Sequence, residues 1–367
     1  MLLAVLMMAP AIFSGHTIAT GLKGGYQVVA ADMNRDGKPD LIALASGMTE
    51  LVWYQNPGWE RHVIAGGLKA MINAAVWDYD GDGIPEIVLA SAFSMIPAKS
   101  EGLIWSLHHQ GDPRRPWKIS QIDRLPTSHR LRWADPEGNG KRVVVNAPLA
   151  AAGAEPPDYR APAPLVLYRP GEWKRELISD ADSGVVHGLT VADWDGDGRD
   201  EVLTASFTGI HVYSFRSGRW IRETLAKGDP SPWPKSGASE VAVGKLGRER
   251  FFCAIEPWHG NQVTVYRQRD GRWERRVLDD SYIEGHTLAT ADLNGDGRDE
   301  IVAGYRGKGT SAYIYYNDGG ENWVRRPLDE GGMAASSCAI TDLDGDGKPD
   351  IACIGGATAN LKWYRNQ

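Results

Sequence analysis

The sequence predicts an all-β protein, a seven-bladed β-propeller of four-stranded blades whose N-terminal strand completes the last blade. Three observations carry this: one acidic turn pattern recurs five times with two degraded segments in phase with it, a Trp-led strand follows six of these turns, and the strand missing at the C-terminus is supplied at the N-terminus. The composition agrees. Of 367 residues, 43 are Gly and 14 are Trp, and 42% are hydrophobic, which suits many short strands and tight turns around a large core. With 40 Lys plus Arg against 47 Asp plus Glu, a net charge of -7 and no basic run, the chain does not read as a nucleic-acid binder. Three cysteines exclude a disulfide scaffold.

Residues 1–14 read as a signal peptide. Leu2 to Phe13 is an apolar run of h-region length, and Ala9-Pro10-Ala11 offers a small-x-small cleavage site. No Lys or Arg precedes Lys23, so the competing reading is an apolar first strand. The run is too short to cross a bilayer and no other stretch approaches that length, so no membrane span is expected. Residues 15–367 are expected to form one secreted or periplasmic domain, a monomer.

The turns come first because they set the period. The intact copies are Asp32-Met-Asn-Arg-Asp-Gly-Lys-Pro-Asp40 and the segments Asp78 to Glu86, Asp193 to Glu201, Asp292 to Glu300 and Asp342 to Asp350. Asp135 to Gly140 is degraded and Lys245 to Glu249 has lost its acids at alternate positions. Repeats of this length are single supersecondary units. Each reads as an apolar strand entering the turn, a second leaving it, a third with aromatic ends such as Leu51-Val-Trp-Tyr54, and a fourth led by Trp59, Trp117, Trp173, Trp220, Trp273 or Trp323. These Trp read as packing between blades. The chain stops after the third strand of the last unit, while His16-Thr-Ile-Ala19 resembles His62-Val-Ile-Ala65, so the first strand should close the ring.

Carboxylate or amide oxygens at positions 1, 3, 5 and 9 of each turn, with Gly at 6, suit a hard cation, and about five Ca2+ are expected. The ligands would be Asp32, Asn34, Asp36 and Asp40; Asp78, Asp80, Asp82 and Glu86; Asp193, Asp195, Asp197 and Glu201; Asp292, Asn294, Asp296 and Glu300; and Asp342, Asp344, Asp346 and Asp350. The loops are not EF-hands, because the last acid falls at position 9 and the flanks are strand-like. They resemble the FG-GAP/VCBS repeat family, seven-bladed propellers such as the head of integrin α chains. That resemblance spans residues 16–367 and implies calcium at the same positions, but not at Lys245.

Six residues before each turn stand Tyr26, Ile72, His129, His187, Ser239, His286 and Ser336. First strands line a propeller's channel, so His129, His187 and His286 should converge at the face opposite the acidic turns, as Zn2+ or other divalent transition-metal ligands do. Around them, Glu240, His259, Arg130 and Tyr305 are catalytic candidates, with Glu240 or His259 as base. Glu256, Trp258, Arg306, Tyr159, Arg160 and Lys99 are substrate-binding candidates, the last three on insertions at 92–102 and 148–164. Glu284 also lies nearby. A second resemblance, to the propeller domain of aldos-2-ulose dehydratase, rests on the His-bearing strands and Glu256-Pro-Trp-His259. It implies a carbohydrate lyase or dehydratase that eliminates water or an alkoxide from an oxidised or acidic sugar. The alternative is a non-catalytic module binding a glycan or protein at the same face. No nucleophile elbow or phosphate loop occurs. His16, His62, His108, His109 and His211 read as surface or packing residues. The cysteines read as buried thiols by default, a Cys338–Cys353 bridge being conceivable.

Overall fold

The computed structural model describes residues 10–367, so most of the expected leader lies outside the described residues. Seven four-stranded antiparallel sheets follow one another. Blades one to six occupy residues 25–65, 73–124, 128–183, 186–226, 240–279 and 285–330. Blade seven takes three strands from 335–366 and its outermost strand, Phe13–Thr20, from the N-terminus, with Phe13 opposite Asn366 and Thr20 opposite Asn360. The closure is the one the strand count predicts. Phe13 and Ser14 are its first residues, so the propeller begins two residues before the expected boundary at 15. No helix of the described residues is long and apolar enough to cross a membrane.

Apolar side chains from neighbouring blades form the core, one buried cluster per seam. Ile42, Trp53, Ile87 and Leu89 fill the seam between blades one and two, and Val28, Tyr54, Ile354 and Leu361 that between seven and one. The Trp that opens a fourth strand packs back onto the preceding blade: Trp273 lies 5.5 Å from Trp194, Trp323 5.6 Å from Phe251 and Trp59 5.9 Å from Trp363, between ring centroids. This is the packing role read from the sequence.

Cys338 and Cys353 face each other directly across the first two strands of blade seven, 4.1 Å apart at Cα, and are joined. The buried-thiol expectation is corrected for this pair because the register brings them together; Cys253 is a buried free thiol.

The acidic turns share one geometry. The first Asp accepts the N–H of the Gly at position 6, at 2.8 Å for Asp32 and Gly37 and 3.0 Å for Asp193 and Gly198. Those glycines have φ of +81° and +84°, where a side chain would be strained. The ninth-position acid is buried and accepts the N–H of position 2, as in Asp40 with Met33 (2.9 Å) and Glu300 with Leu293 (2.8 Å). Burial, aided by the neighbouring carboxylates, pushes Asp40 up to about 6, Glu86 to about 7 and Glu300 to about 8. In blade four, Arg216 Nη2 meets Asp195 and Glu201 at 2.7 Å and Asp197 at 3.2 Å.

Candidate functional site at the channel mouth

The first strands of adjacent blades neighbour one another around the ring. In five of them the pairing register slips, at Tyr26, His129, His187, His286 and Ser336. The extra residue of such a bulge has no cross-strand partner, and its side chain leaves the ordinary in–out alternation. Blades two and five lack the bulge. There Ile72 and Ser239 precede the strand and donate their N–H to Ala90 and Ile255 carbonyls. A seven-residue strand spans about 20 Å, which separates these residues from the acidic turns at its other end.

The imidazoles converge. Ring centroids of His187 lie 4.7 Å from His129, 4.8 Å from His259 and 5.0 Å from His286. The set whose ligand atoms all fall within 4.8 Å of one another is His187, His259 and His286. His259 Nε2 is 3.2 Å from His187 Nε2. The expected trio is thereby revised. His129 is engaged instead with the Tyr26 hydroxyl, 2.7 Å from its Nε2, while its Nδ1 is buried without a partner.

Hydrogen bonds define two of the tautomers. His187 Nδ1 faces Glu240 Oε1 at 2.9 Å and the Ser239 carbonyl at 3.1 Å. Both are acceptors, so Nδ1 carries the proton and Nε2 the lone pair. His286 Nδ1 faces the Ser336 carbonyl at 2.6 Å, and its Nε2 is buried without a partner. A carboxylate or carbonyl behind each imidazole is the usual support of a metal-binding His. Burial, reinforced by Arg130 or Arg306 nearby, lowers the pKa of His129, His187, His259 and His286, so all four rings are neutral. His259 reaches the cluster from a left-handed backbone, φ +47°, a conformation costing about 1–3 kcal/mol. Blades four and five approach closely enough for the His187–Glu240 contact because residue 188 is Gly: a Cβ there would stand 3.0 Å from Glu240 Cα.

Glu240 also pairs with Arg130. Burial opposes its ionisation, but Arg130 and then His187 outweigh this and hold its carboxyl below the usual range. Because His187 is itself neutral, the arginine and the Nδ1–H bond are the real supports. Glu240 is thus a clamped carboxylate that orients His187, and it faces a second, polar chamber of about 70 Å³ with Arg130, Arg132 and Ser336. This corrects its reading as a base.

Above the imidazoles lies a cavity of about 400 Å³, with Phe93, Met95, Leu149 and Trp258 as its apolar wall and Arg306, Glu284 and Tyr26 as polar lining. Arg306 Nη2 is 3.5 Å from His259 Nε2. Of the substrate-binding candidates, Trp258 and Arg306 are in place. Tyr159 stands behind the wall, its ring edge-on to Trp258 and its hydroxyl donating to the Met95 carbonyl at 3.0 Å. Arg160 lies over Trp233 and Lys99 is exposed on a short turn, and neither lines the cavity. Glu256 is fully buried in a seam, accepting from Tyr266 (2.5 Å), Thr264 (3.0 Å) and Arg275 (2.8 Å), so it is structural. Tyr305 packs on Tyr282, centroids 5.0 Å apart, outside the cavity. Phe93, Met95 and Leu149 were not anticipated; the only signal for them is that they lie on or beside the two long insertions.

Comparison with known proteins agrees with the propeller fold. Residues 101–269 match the family of the aldos-2-ulose dehydratase β-propeller domain, and residues 32–89 and 292–353 match the FG-GAP-like repeat. The aldos-2-ulose dehydratase of Phanerodontia chrysosporium is 27% identical over 236 residues, 56% of this chain and 26% of that protein, so the match spans about a quarter of the relative's length. Among solved structures, the WD40 β-propeller domain of Doa1 superposes with a TM-score of 0.55 at 13% identity, covering 96% of this chain and 97% of that one. An Agrocybe aegerita protein described as recognising non-reducing terminal N-acetylglucosamine gives 0.54 at 16% identity, covering 94% and 86%. At these identities the likeness is one of fold.

Proposed function

We propose that this propeller is a metal-assisted sugar dehydratase that eliminates water from a carbonyl-bearing sugar held at the channel mouth. The observation that carries the reading is the convergence of three neutral imidazoles, His187, His259 and His286, of which His187 and His259 line a 400 Å³ cavity with an aromatic wall and His286 lines the polar chamber beside it. The similarity of residues 101–269 to a dehydratase propeller supports it, and that stretch contains His129, His187, Glu240 and His259.

His187, His259 and His286 would hold zinc or another borderline divalent ion, for which a three-imidazole set with one open position is suited. When bound, such an ion supplies Lewis-acid stabilisation to the enolate formed from a carbonyl substrate. The remaining work falls to the chain. Trp258 and Phe93 offer faces to a sugar ring, and Arg306 donates to its oxygens. His129, which lines the cavity and is held at Nε2 by the Tyr26 hydroxyl, removes the proton from the carbon next to the carbonyl. The C–H electron pair becomes the new C=C bond, the C–O bond on the following carbon breaks, and the proton on His129 leaves with the departing hydroxide as water.

The loop acids favour calcium as a structural ion. The apolar leader and the Cys338–Cys353 bond favour an exported protein.

Glu240 separates this reading from a passive polar channel. Glu240→Gln keeps an oxygen for the His187 Nδ1–H but loses the charge, and zinc affinity measured by competition with a chromogenic chelator should fall about 10–100-fold. Unchanged affinity in a folded variant, or a wild-type protein that takes up no divalent transition metal, would argue for a binding module instead.

A further inference from the structure

The five intact acidic turns differ in what faces the ninth-position acid. In blades one and seven that residue is Asp, and its second oxygen accepts the N–H of Asn56 (2.8 Å) or Asn366 (2.7 Å). In blade four Arg216 takes Glu201 Oε1 at 2.7 Å. In blade two Glu86 is fully buried, Oε2 accepts the Tyr79 N–H at 3.1 Å, and Oε1 has no hydrogen-bond partner. What stands before that oxygen is an imidazole. His108 Nδ1 lies 4.0 Å from Glu86 Oε1.

The register explains why. Ile87 pairs with Leu107 as Leu41 pairs with Tyr54 and Ile351 with Tyr364. His108-His109 therefore occupies the place of Gln55-Asn56 and Arg365-Asn366. His109 is spent: its Nδ1 accepts the Gly111 N–H at 3.1 Å, so its Nε2 is the donor to Asp82 Oδ2 at 2.9 Å. Arg35 meets the same carboxylate at 3.1 Å. Asp82, the fifth-position acid, is thus drawn toward two donors, which depletes the oxygen set a calcium ion would use. Asp80, Glu86 and His108 have ligand atoms within 4.8 Å of one another, as do Asp82, Glu86 and the engaged His109, and the acids Asp78, Asp80 and Asp82. His108 Nε2 has two hydroxyls beside it, Tyr79 Oη at 2.7 Å and Ser106 Oγ at 3.0 Å, either of which can accept its proton, and in that tautomer Nδ1 carries the lone pair.

Calcium takes oxygen donors almost without exception, whereas imidazole nitrogen favours zinc, cobalt and nickel. We propose that the blade-two turn is a mixed nitrogen–oxygen site for a divalent first-row transition ion, liganded by Asp80, Glu86 and His108. It sits at the end of the blade remote from the channel imidazoles and does not depend on their function. In this proposal His108 is a ligand, where the sequence suggests a surface or packing residue, and His109 only holds Asp82.

The test is zinc stoichiometry of the purified full chain after equilibrium dialysis in millimolar calcium. Wild type should retain one zinc more than His108→Gln, and a His187→Ala/His286→Ala double variant should retain that same zinc. Cobalt(II) added to the double variant should give visible d–d bands that vanish when His108→Gln is added to it. His108 is partly exposed, so the Gln variant is expected to fold, and thermal melting checks that it does. Equal zinc in wild type and His108→Gln, or complete displacement of the double variant's zinc by calcium, overturns the assignment. A channel that binds no metal leaves the expected difference between wild type and His108→Gln intact.

Discussion

Removing calcium from the purified protein with a chelator at pH 8 should lower its melting temperature further than any single surface substitution does. An ion that binds only the folded chain stabilises it by roughly 2.7 kcal/mol per site at a hundredfold excess over its dissociation constant. Several such loops together amount to about 10 kcal/mol, comparable with the whole stability of an ordinary domain. The pH dependence has a definite sign. In the ion-free loops Asp40 titrates at about 6 and Glu300 at about 8, against 3.8 and 4.5 for the free side chains. Between those limits the folded chain holds protons that the unfolded chain has released, so ion-free stability falls as pH rises from about 4 to 8. Calcium takes the place of those protons, and the shift on chelation should be larger at pH 8 than at pH 5. Blade four should contribute least, because Arg216 already lies against Asp195, Asp197 and Glu201. Identical melting curves with and without calcium at pH 8 would contradict the assignment of these loops.

The second large effect divides the four channel imidazoles into two classes. His259→Ala should abolish tight transition-metal uptake at the channel and, with it, turnover. His129→Ala should leave metal content unchanged and reduce kcat by about 100- to 10,000-fold, the usual worth of a positioned base. The distinction follows from geometry, since His129 is tied to Tyr26 while His259 Nε2 sits 3.2 Å from that of His187. Should His129→Ala lose the metal while His259→Ala keeps it, the expected trio of His129, His187 and His286 would be restored and the base would lie elsewhere.

Most of the fold is legible in the sequence because one chemical requirement, oxygens at alternate positions around a Gly, recurs intact in five of the seven blades and marks a phase that the degraded turns at Asp135 and Lys245 keep. The ring closure follows by counting strands. The channel site is legible only in part. His129, His187 and His286 share a register that the repeats expose, and the bulges that turn them inward fall at that register. His259 is different: it enters from a connection with a left-handed backbone, so no strand periodicity points to it, and its place beside His187 and His286 emerges only in three dimensions. Glu256 and Tyr305 lie away from the cavity for a different reason. Each ends a second strand, and whether such a residue faces the channel or a seam depends on its partners, which for Glu256 are Tyr266, Thr264 and Arg275. Phe93, Met95 and Leu149 belong to long connections whose path no local pattern dictates.

The central claim is that the channel mouth performs a metal-dependent elimination. The most direct measurement follows purified protein, stripped of metal and then given zinc, manganese, cobalt or nickel one at a time, on a panel of carbonyl-bearing sugars, with the unsaturated product read by its ultraviolet absorbance. The account predicts product only with a divalent transition metal present, and none from His259→Ala. Binding of the same sugars without product under every metal tried would contradict it and leave a glycan-binding propeller in its place.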